Sequence, residues 1–150
     1  MKSADRKPSL IMVADPDEDE RCLLRSVLRL KGFNVIEAAD GRQVINLARE
    51  KRPDLLVIDL KLPGLSGTLT IQHLRRQVEF HTLPIVAVSY GANGGRRQGL
   101  PGRATAHLSK PVQFEHLDKL IDRFLPGQRV QFPEGGRKTS LAVNGAVIHA

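Results

Sequence analysis

Short apolar runs rich in β-branched residues alternate along the chain with longer segments in which apolar residues recur at helical spacing. Ser9 to Ala14, Asn34 to Ala38, Leu55 to Ile58, Pro84 to Ser89 and Ala106 to Ser109 are the short runs, and each reads as a strand. Between the first two, Leu23, Leu24, Val27, Leu28 and Leu30 are spaced to line one face of a helix that stops at Lys31-Gly32. The Asp40-Gly41 turn opens a second helix with Val44, Ile45, Leu47 and Ala48 facing inward, closed by Pro53. A third helix is predicted over Gly67 to Val78, carrying Leu69, Leu74 and Val78. A last, amphipathic one runs from Gln113 to Leu125 with Phe114, Leu117, Leu120, Ile121 and Phe124 on one face. Leu55 to Ile58, apolar throughout and closed by Asp59, is how a strand buried on both sides of a parallel sheet reads, so it is predicted to be central. Strand and helix in alternation predict an α/β fold, a doubly wound five-stranded parallel sheet.

One stretch breaks the rhythm. Gly91 to Gly102 holds five glycines and a proline where a fourth helix is due, so any helix there is short or frayed. Residues 1–8 read as an N-terminal extension, 9–125 as the domain, and 126–150 as a flexible tail in which a hairpin over Leu141 to Ile148 is the lesser alternative. The 150-residue length and 41% hydrophobic content suit one ordinary globular domain and exclude collagen, coiled coil and wholesale disorder. Unbroken apolar runs reach four or five residues, against roughly 20 for a membrane-spanning helix. The polar N-terminus offers no signal-peptide core, and the single Cys22 permits no intramolecular disulfide, so a cytoplasmic protein is expected. A net charge of +7 by itself suggests an anionic partner. The basic residues are scattered, however, and no helix-turn-helix, zinc-finger or aromatic stacking pattern accompanies them, so neither nucleic acid nor membrane is expected. The acids, by contrast, concentrate at Asp15, Asp17, Glu18, Asp19 and Glu20.

In an open parallel sheet, functional groups collect beyond the carboxyl ends of the strands. Strand ends here deliver Asp15, with Asp17 just beyond it, Asp59, Ser89 and Lys110 to one edge. Clustered carboxylates repel one another unless a cation intervenes, and an oxygen-only set of Asp15, Asp17 and Asp59 suits Mg2+. As a nucleophile, the Asp59 carboxylate would attack a phosphoryl group, with the metal, Lys110 and Ser89 neutralising its oxygens. The bland reading of the acidic run is helix capping, and Asp19 and Glu20 are assigned to it. An ionisable group closing a buried apolar run is harder to explain that way, which singles out Asp59. His73, His81, His107, His116 and His149 show no metal-ligand spacing.

These residues resemble the receiver domain of two-component response regulators, of the single-domain chemotaxis type, over residues 9 to 125. LIMVADPDEDERCLL resembles the acidic first-strand motif, GFNVIEAADGRQVINLARE the second strand and helix, PDLLVIDLKLPGLSG the phosphoacceptor motif, PIVAVS the strand ending in a hydroxyl, and HLSKP the lysine-proline motif. The resemblance implies a flavodoxin-like sheet with a degraded fourth helix, Asp59 as phosphoacceptor, Lys110 as the lysine of the site, Ser89 as the switch hydroxyl and Asp15 as the first of an acidic pair. Pro16 stands where the second acid is usual, with Asp17 one residue on as its substitute for Mg2+. Tyr90 follows Ser89 where a small residue is favoured, and His107 takes the place of the switch aromatic. The implied function is a stand-alone receiver, not an enzyme beyond its own phosphorylation. It would take a phosphoryl group from a histidine kinase or phosphotransfer protein and signal by contact with a downstream protein. The alternative drawn from the departures is a pseudo-receiver that binds partners without phosphorylation.

Overall fold

A computed structural model describes residues 7–91 and 99–127, together with the backbone of 140–143 and 146–149. Five strands alternate with four α-helices among them: β1 (Leu10–Ala14), α1 (Glu18–Leu30), β2 (Asn34–Ala38), α2 (Gly41–Lys51), β3 (Leu55–Asp59), α3 (Gly67–Arg75), β4 (Ile85–Ser89), β5 (Ala106–Ser109) and α4 (Phe114–Phe124). The sheet has the order β2-β1-β3-β4-β5 and every pairing is parallel. β3 is central, as its unbroken apolar run requires, and all five of its residues are buried. Because β1 and β3 lie side by side, the residues following them meet at the carboxyl edge where the strand order reverses.

Alternation along the strands divides the core in two. Met12, Leu56, Ile58, Ile85 and Ala87 point to one side of the sheet, where Val44, Ile45, Ala48, Ile71 and Leu74 cover them. Ile11, Val13, Val57, Val86 and Val88 point to the other, beneath Leu24, Leu28, Leu117 and Ile121. Helices α2 and α3 thus cap one face and α1 and α4 the opposite one. Three of them begin on side-chain caps that satisfy otherwise orphaned N–H groups: Asp17 for α1, Asp40 for α2 and Ser66 for α3.

The helical expectations need two corrections. Helix α3 ends at Arg75, and Val78–Phe80 forms a separate 3-10 turn. Its buried face is Gly67, Thr70, Ile71 and Leu74, whereas Leu69 is half exposed and Val78 is 92% exposed. In α1, Leu30 is likewise exposed, because two residues past Leu28 it lies about 200° round the helix from it. Arg75 is the surprise of the second layer. The guanidinium, at 7% exposure, donates to the carbonyls of Phe80 (2.8 Å) and Arg103 (3.0 Å) and to the Thr105 hydroxyl. It fastens the end of α3 to the approach to β5.

Of the glycine-rich stretch, 92–98 lies outside the described residues; Pro101–Arg103 is a 3-10 turn against α3, in line with the expected degraded helix. In the tail, Ser140–Val143 (β6) and Ala146–His149 (β7) pair antiparallel, the hairpin arrangement held as the lesser alternative. Residues 1–6, 128–139, 144–145 and 150, where the remainder of the extension and tail expectations fall, lie outside the described residues. Among the described residues no helix is long and apolar enough to cross a membrane.

Candidate functional site

Asp15 leaves the end of β1 with its N–H bonded to the Ala38 carbonyl (3.1 Å), and at 4% exposure its carboxylate is held inside the edge of the sheet. Its Oδ1 accepts from the Asp17 N–H at 2.8 Å. Asp59 ends β3 at 5% exposure, with Oδ1 accepting from the Lys61 N–H at 2.7 Å. The carbonyl of Asp59 lies hard against the start of α3, where a Cβ placed on Gly67 would come within 2.3 Å of it; only glycine permits that approach. Lys110 follows β5, donates its N–H to the Ser89 carbonyl (2.8 Å), and is joined to Pro111 by a cis peptide bond.

The Lys110 side chain, 7% exposed, reaches back across the sheet edge into the acids. Its Nζ lies 3.0 Å from Asp15 Oδ2 and 2.5 Å from Asp59 Oδ2, and it also bonds Glu20 Oε2. Tyr90, largely exposed, sets its ring 5.4 Å from the same ammonium. A cavity of about 360 Å³ opens over this group, lined on its polar side by Asp15, Asp17, Asp19, Glu20, Asp59 and Lys110 and on its apolar side by Leu23, Leu24, Val112 and Phe114.

One ammonium among three carboxylates leaves the site negative. Burial pushes Asp15 up to about 6, against the pull of the Asp17 N–H and of Lys110. Burial alone would lower Lys110, but its bonds to Asp59, Glu20 and Asp15 outweigh that and hold it above the ordinary lysine range. Because the folded Asp15 binds its proton more tightly than the unfolded chain, whose value is near 3.8, its contribution to stability is present below about pH 4. That contribution is lost as pH rises through about 6. In metal-free buffer, Asp15→Asn is expected to flatten the pH dependence of denaturant unfolding by ~1–3 kcal/mol over this range, the lower end reflecting solvent at the pocket mouth. His107, held below the usual histidine value by burial, contributes with the opposite sign, so the comparison must be made against this variant; an unchanged slope would dismiss the assignment.

The structure therefore brings Asp15, Asp59 and Lys110 together as the sequence suggested. Asp17 lines the mouth of the same pocket, but its Oδ1 accepts from the Asp19 and Glu20 N–H groups at 2.8 and 3.0 Å, the cap of α1, and it is not among the acids that meet at Lys110. The third carboxylate is that of Glu20, and ligand oxygens of Asp15, Glu20 and Asp59 all lie within 4.8 Å of one another. A signal for this exists in the Asp17-to-Glu20 spacing. A Glu three residues after an N-cap normally reaches back to the N-cap N–H. Here Asp15 already holds that N–H, so the Glu20 carboxylate turns to Lys110. Ser89 is not among the residues lining the pocket; its hydroxyl is bonded to His107 Nε2 at 2.7 Å.

The response regulator receiver domain family model matches residues 11–122. The polar-differentiation response regulator DivK of Brucella anthropi is 29% identical over 119 residues, which span 79% of this chain and 97% of that protein. Among solved structures, chemotaxis response regulator CheY4 of Vibrio cholerae superposes with a TM-score of 0.73 at 27% identity, covering 79% of this chain and all of that one. The receiver domain of sensor histidine kinase PA1611 from Pseudomonas aeruginosa, with a magnesium ion coordinated in its active site cleft, gives 0.72 at 25% identity, covering 79% of this chain and 98% of its own. The family match runs from the first strand into the last helix of the five-stranded unit, and the chain belongs to the response regulator receiver domains: it is a phosphoryl-accepting signalling module of a two-component system.

Proposed function

We propose that Asp59 is the phosphoacceptor, that Asp15, Glu20 and Asp59 hold a Mg2+ ion for the transfer, and that Lys110 and Ser89 receive the new phosphoryl oxygens. The observation that carries this is the charge imbalance at the sheet edge: three buried or half-buried carboxylates around one ammonium leave two negative charges, which a hard divalent cation matches in sign, magnitude and oxygen donors. When bound, the ion supplies positive charge to the phosphoryl oxygens. The chain's own groups do the rest. The Lys61 N–H holds Asp59 Oδ1, so the carboxylate is aimed as its P–O bond forms and the P–N bond to a donor phosphohistidine breaks. Lys110 exchanges its contact with Asp59 Oδ2 for a phosphoryl oxygen, keeping its charge beside the centre. The resulting ≈ −1.5 to −2 charge biases the edge between two arrangements that a downstream protein distinguishes. Donor and target are proteins, a histidine kinase or phosphotransfer protein and a contact partner, and the single Cys22 suits a reducing cytoplasm.

Intact mass after treatment with acetyl phosphate, with and without Mg2+, tests this on the parent chain and Asp59→Asn. A phosphoryl mass confined to the parent and dependent on Mg2+ is the expected result. No gain, or a gain that survives Asp59→Asn, overturns it. The first of those outcomes favours the pseudo-receiver, which the seat of Lys110 among all three acids would then serve as a fixed internal cation.

A further inference from the structure

A second cavity, of about 590 Å³, lies between α3 and the turn that enters β5, and it shares no lining residue with the one over the acids. Its side chains are those of Gln72, Arg76, Leu100, Pro101 and Arg103. Gly102 brings the turn onto the helix: at φ +60° a Cβ there would come within 2.7 Å of the Thr68 carbonyl oxygen and 2.8 Å of Ile71 Cβ. Arg75 then fastens it, its Nε donating to the Arg103 carbonyl at 3.0 Å. A helix and a turn pinned to it thus hold the two walls at a fixed spacing.

Charge sets what this cavity can take. No acid lines it, and among the described residues neither Arg76 nor Arg103, both exposed, has an ion-pair partner. Burial, and then the charge of Arg103, hold the Arg75 guanidinium below the ordinary arginine range, so like charges crowd the end of α3. Arg103 also sits at φ +67°, the left-handed region that favours glycine. Strain kept at a residue that adds charge to a cavity points to a use for that charge. Guanidinium forks match phosphate oxygens two at a time. The volume falls in the small-ligand range of roughly 300–1,000 Å³.

We propose that the cavity between α3 and the 99–103 turn binds a small phosphorylated ligand through a pair of linked phosphates, held by Arg76 and Arg103 with Gln72 hydrogen-bonding beside them. Leu100 and Pro101 supply the wall against which the rest of the ligand lies. The site does not depend on Asp59 accepting a phosphoryl group.

The test titrates the full chain in Mg2+-free buffer with sodium pyrophosphate, with ADP and, as a control for charge alone, with a hexaglutamate peptide, reading backbone amide shifts. The metal is left out so that it cannot draw phosphate to the acids around Lys110. Saturable shifts confined to residues 72–76 and 99–103 are expected with both phosphates. ADP binding more tightly than pyrophosphate places the ligand among nucleotides, and equal or weaker binding places it among inorganic polyphosphates; both uphold the site. Arg76→Gln and Arg103→Gly should each weaken binding by roughly 10- to 100-fold, the scale of a charge-assisted hydrogen bond. Glycine suits φ +67°, so Arg103→Gly should resist urea at least as well as the parent while losing the ligand, which separates binding from folding. Absence of saturable shifts with either phosphate in the millimolar range overturns the site. So do shifts that persist in the Arg76→Gln/Arg103→Gly double variant, and so does hexaglutamate binding as tightly as the phosphates, which reassigns the surface to an acidic protein partner. None of these outcomes bears on the phosphoacceptor, because the two cavities have no residue in common.

Discussion

Lys110→Met is expected to destabilise the metal-free protein by about 3–5 kcal/mol and to slow Asp59 phosphorylation on the order of 100-fold. Methionine preserves most of the stem volume, so packing loss is small. What disappears is the only positive charge within bonding distance of Asp15 Oδ2, Asp59 Oδ2 and Glu20 Oε2 among the described contacts. Asp15 and Asp59 are almost wholly shielded from water, so their mutual repulsion is weakly screened. Part of the lost stability should return on adding Mg2+ and part on lowering the pH, since a divalent cation or a proton on Asp15 each removes negative charge. Urea unfolding of the two proteins, with and without Mg2+, checks the first arm, and the rate of phosphoryl mass gain checks the second. Parental stability in the metal-free variant would mean that the three acids do not share a charge problem at all.

The second large effect separates Glu20 from Asp17. Removing the Glu20 carboxylate takes one unit of charge from a site whose oxygens converge within 4.8 Å, and Glu20→Gln should weaken Mg2+ binding by roughly 10- to 100-fold. Asp17→Asn should stay within about twofold of the parent, because asparagine caps a helix about as well as aspartate and the Asp17 carboxylate is engaged with the Asp19 and Glu20 N–H groups. Titration with Mg2+, followed by amide chemical shifts around Asp59, measures both. The reverse ranking, with Asp17→Asn crippled and Glu20→Gln unaffected, would show that the loop rebuilds itself around the ion and that the resting geometry is no guide to its ligands.

The strands were legible because a buried strand in a parallel sheet has no polar side to interrupt it: LIMVA, LLVID and IVAVS announce themselves by composition alone. Helices α1, α2 and α4 were nearly as plain, since their stripes follow from 100° per residue. Helix α3 was misjudged at its end because Leu69 and Val78 are apolar by type yet turned outward, and burial is a property of the face rather than of the residue. Arg75 shows the converse, a cation whose burial depends on carbonyls at Phe80 and Arg103 that no local pattern connects to it.

From its order of residues alone the chain determined the alternating architecture, the central strand, and the delivery of Asp15, Asp59, Ser89 and Lys110 to one edge, since strand ends follow from where apolar runs stop. The choice of Glu20 over Asp17 as third acid, the seating of Lys110 among all three, and the turn of Ser89 toward His107 were decided only by the fold. Each is a competition among several partners for one hydrogen or one charge. Its outcome depends on distances between residues far apart in the chain, such as the 95 positions separating Lys110 from Asp15, which become neighbours only once β1, β3 and β5 share a sheet.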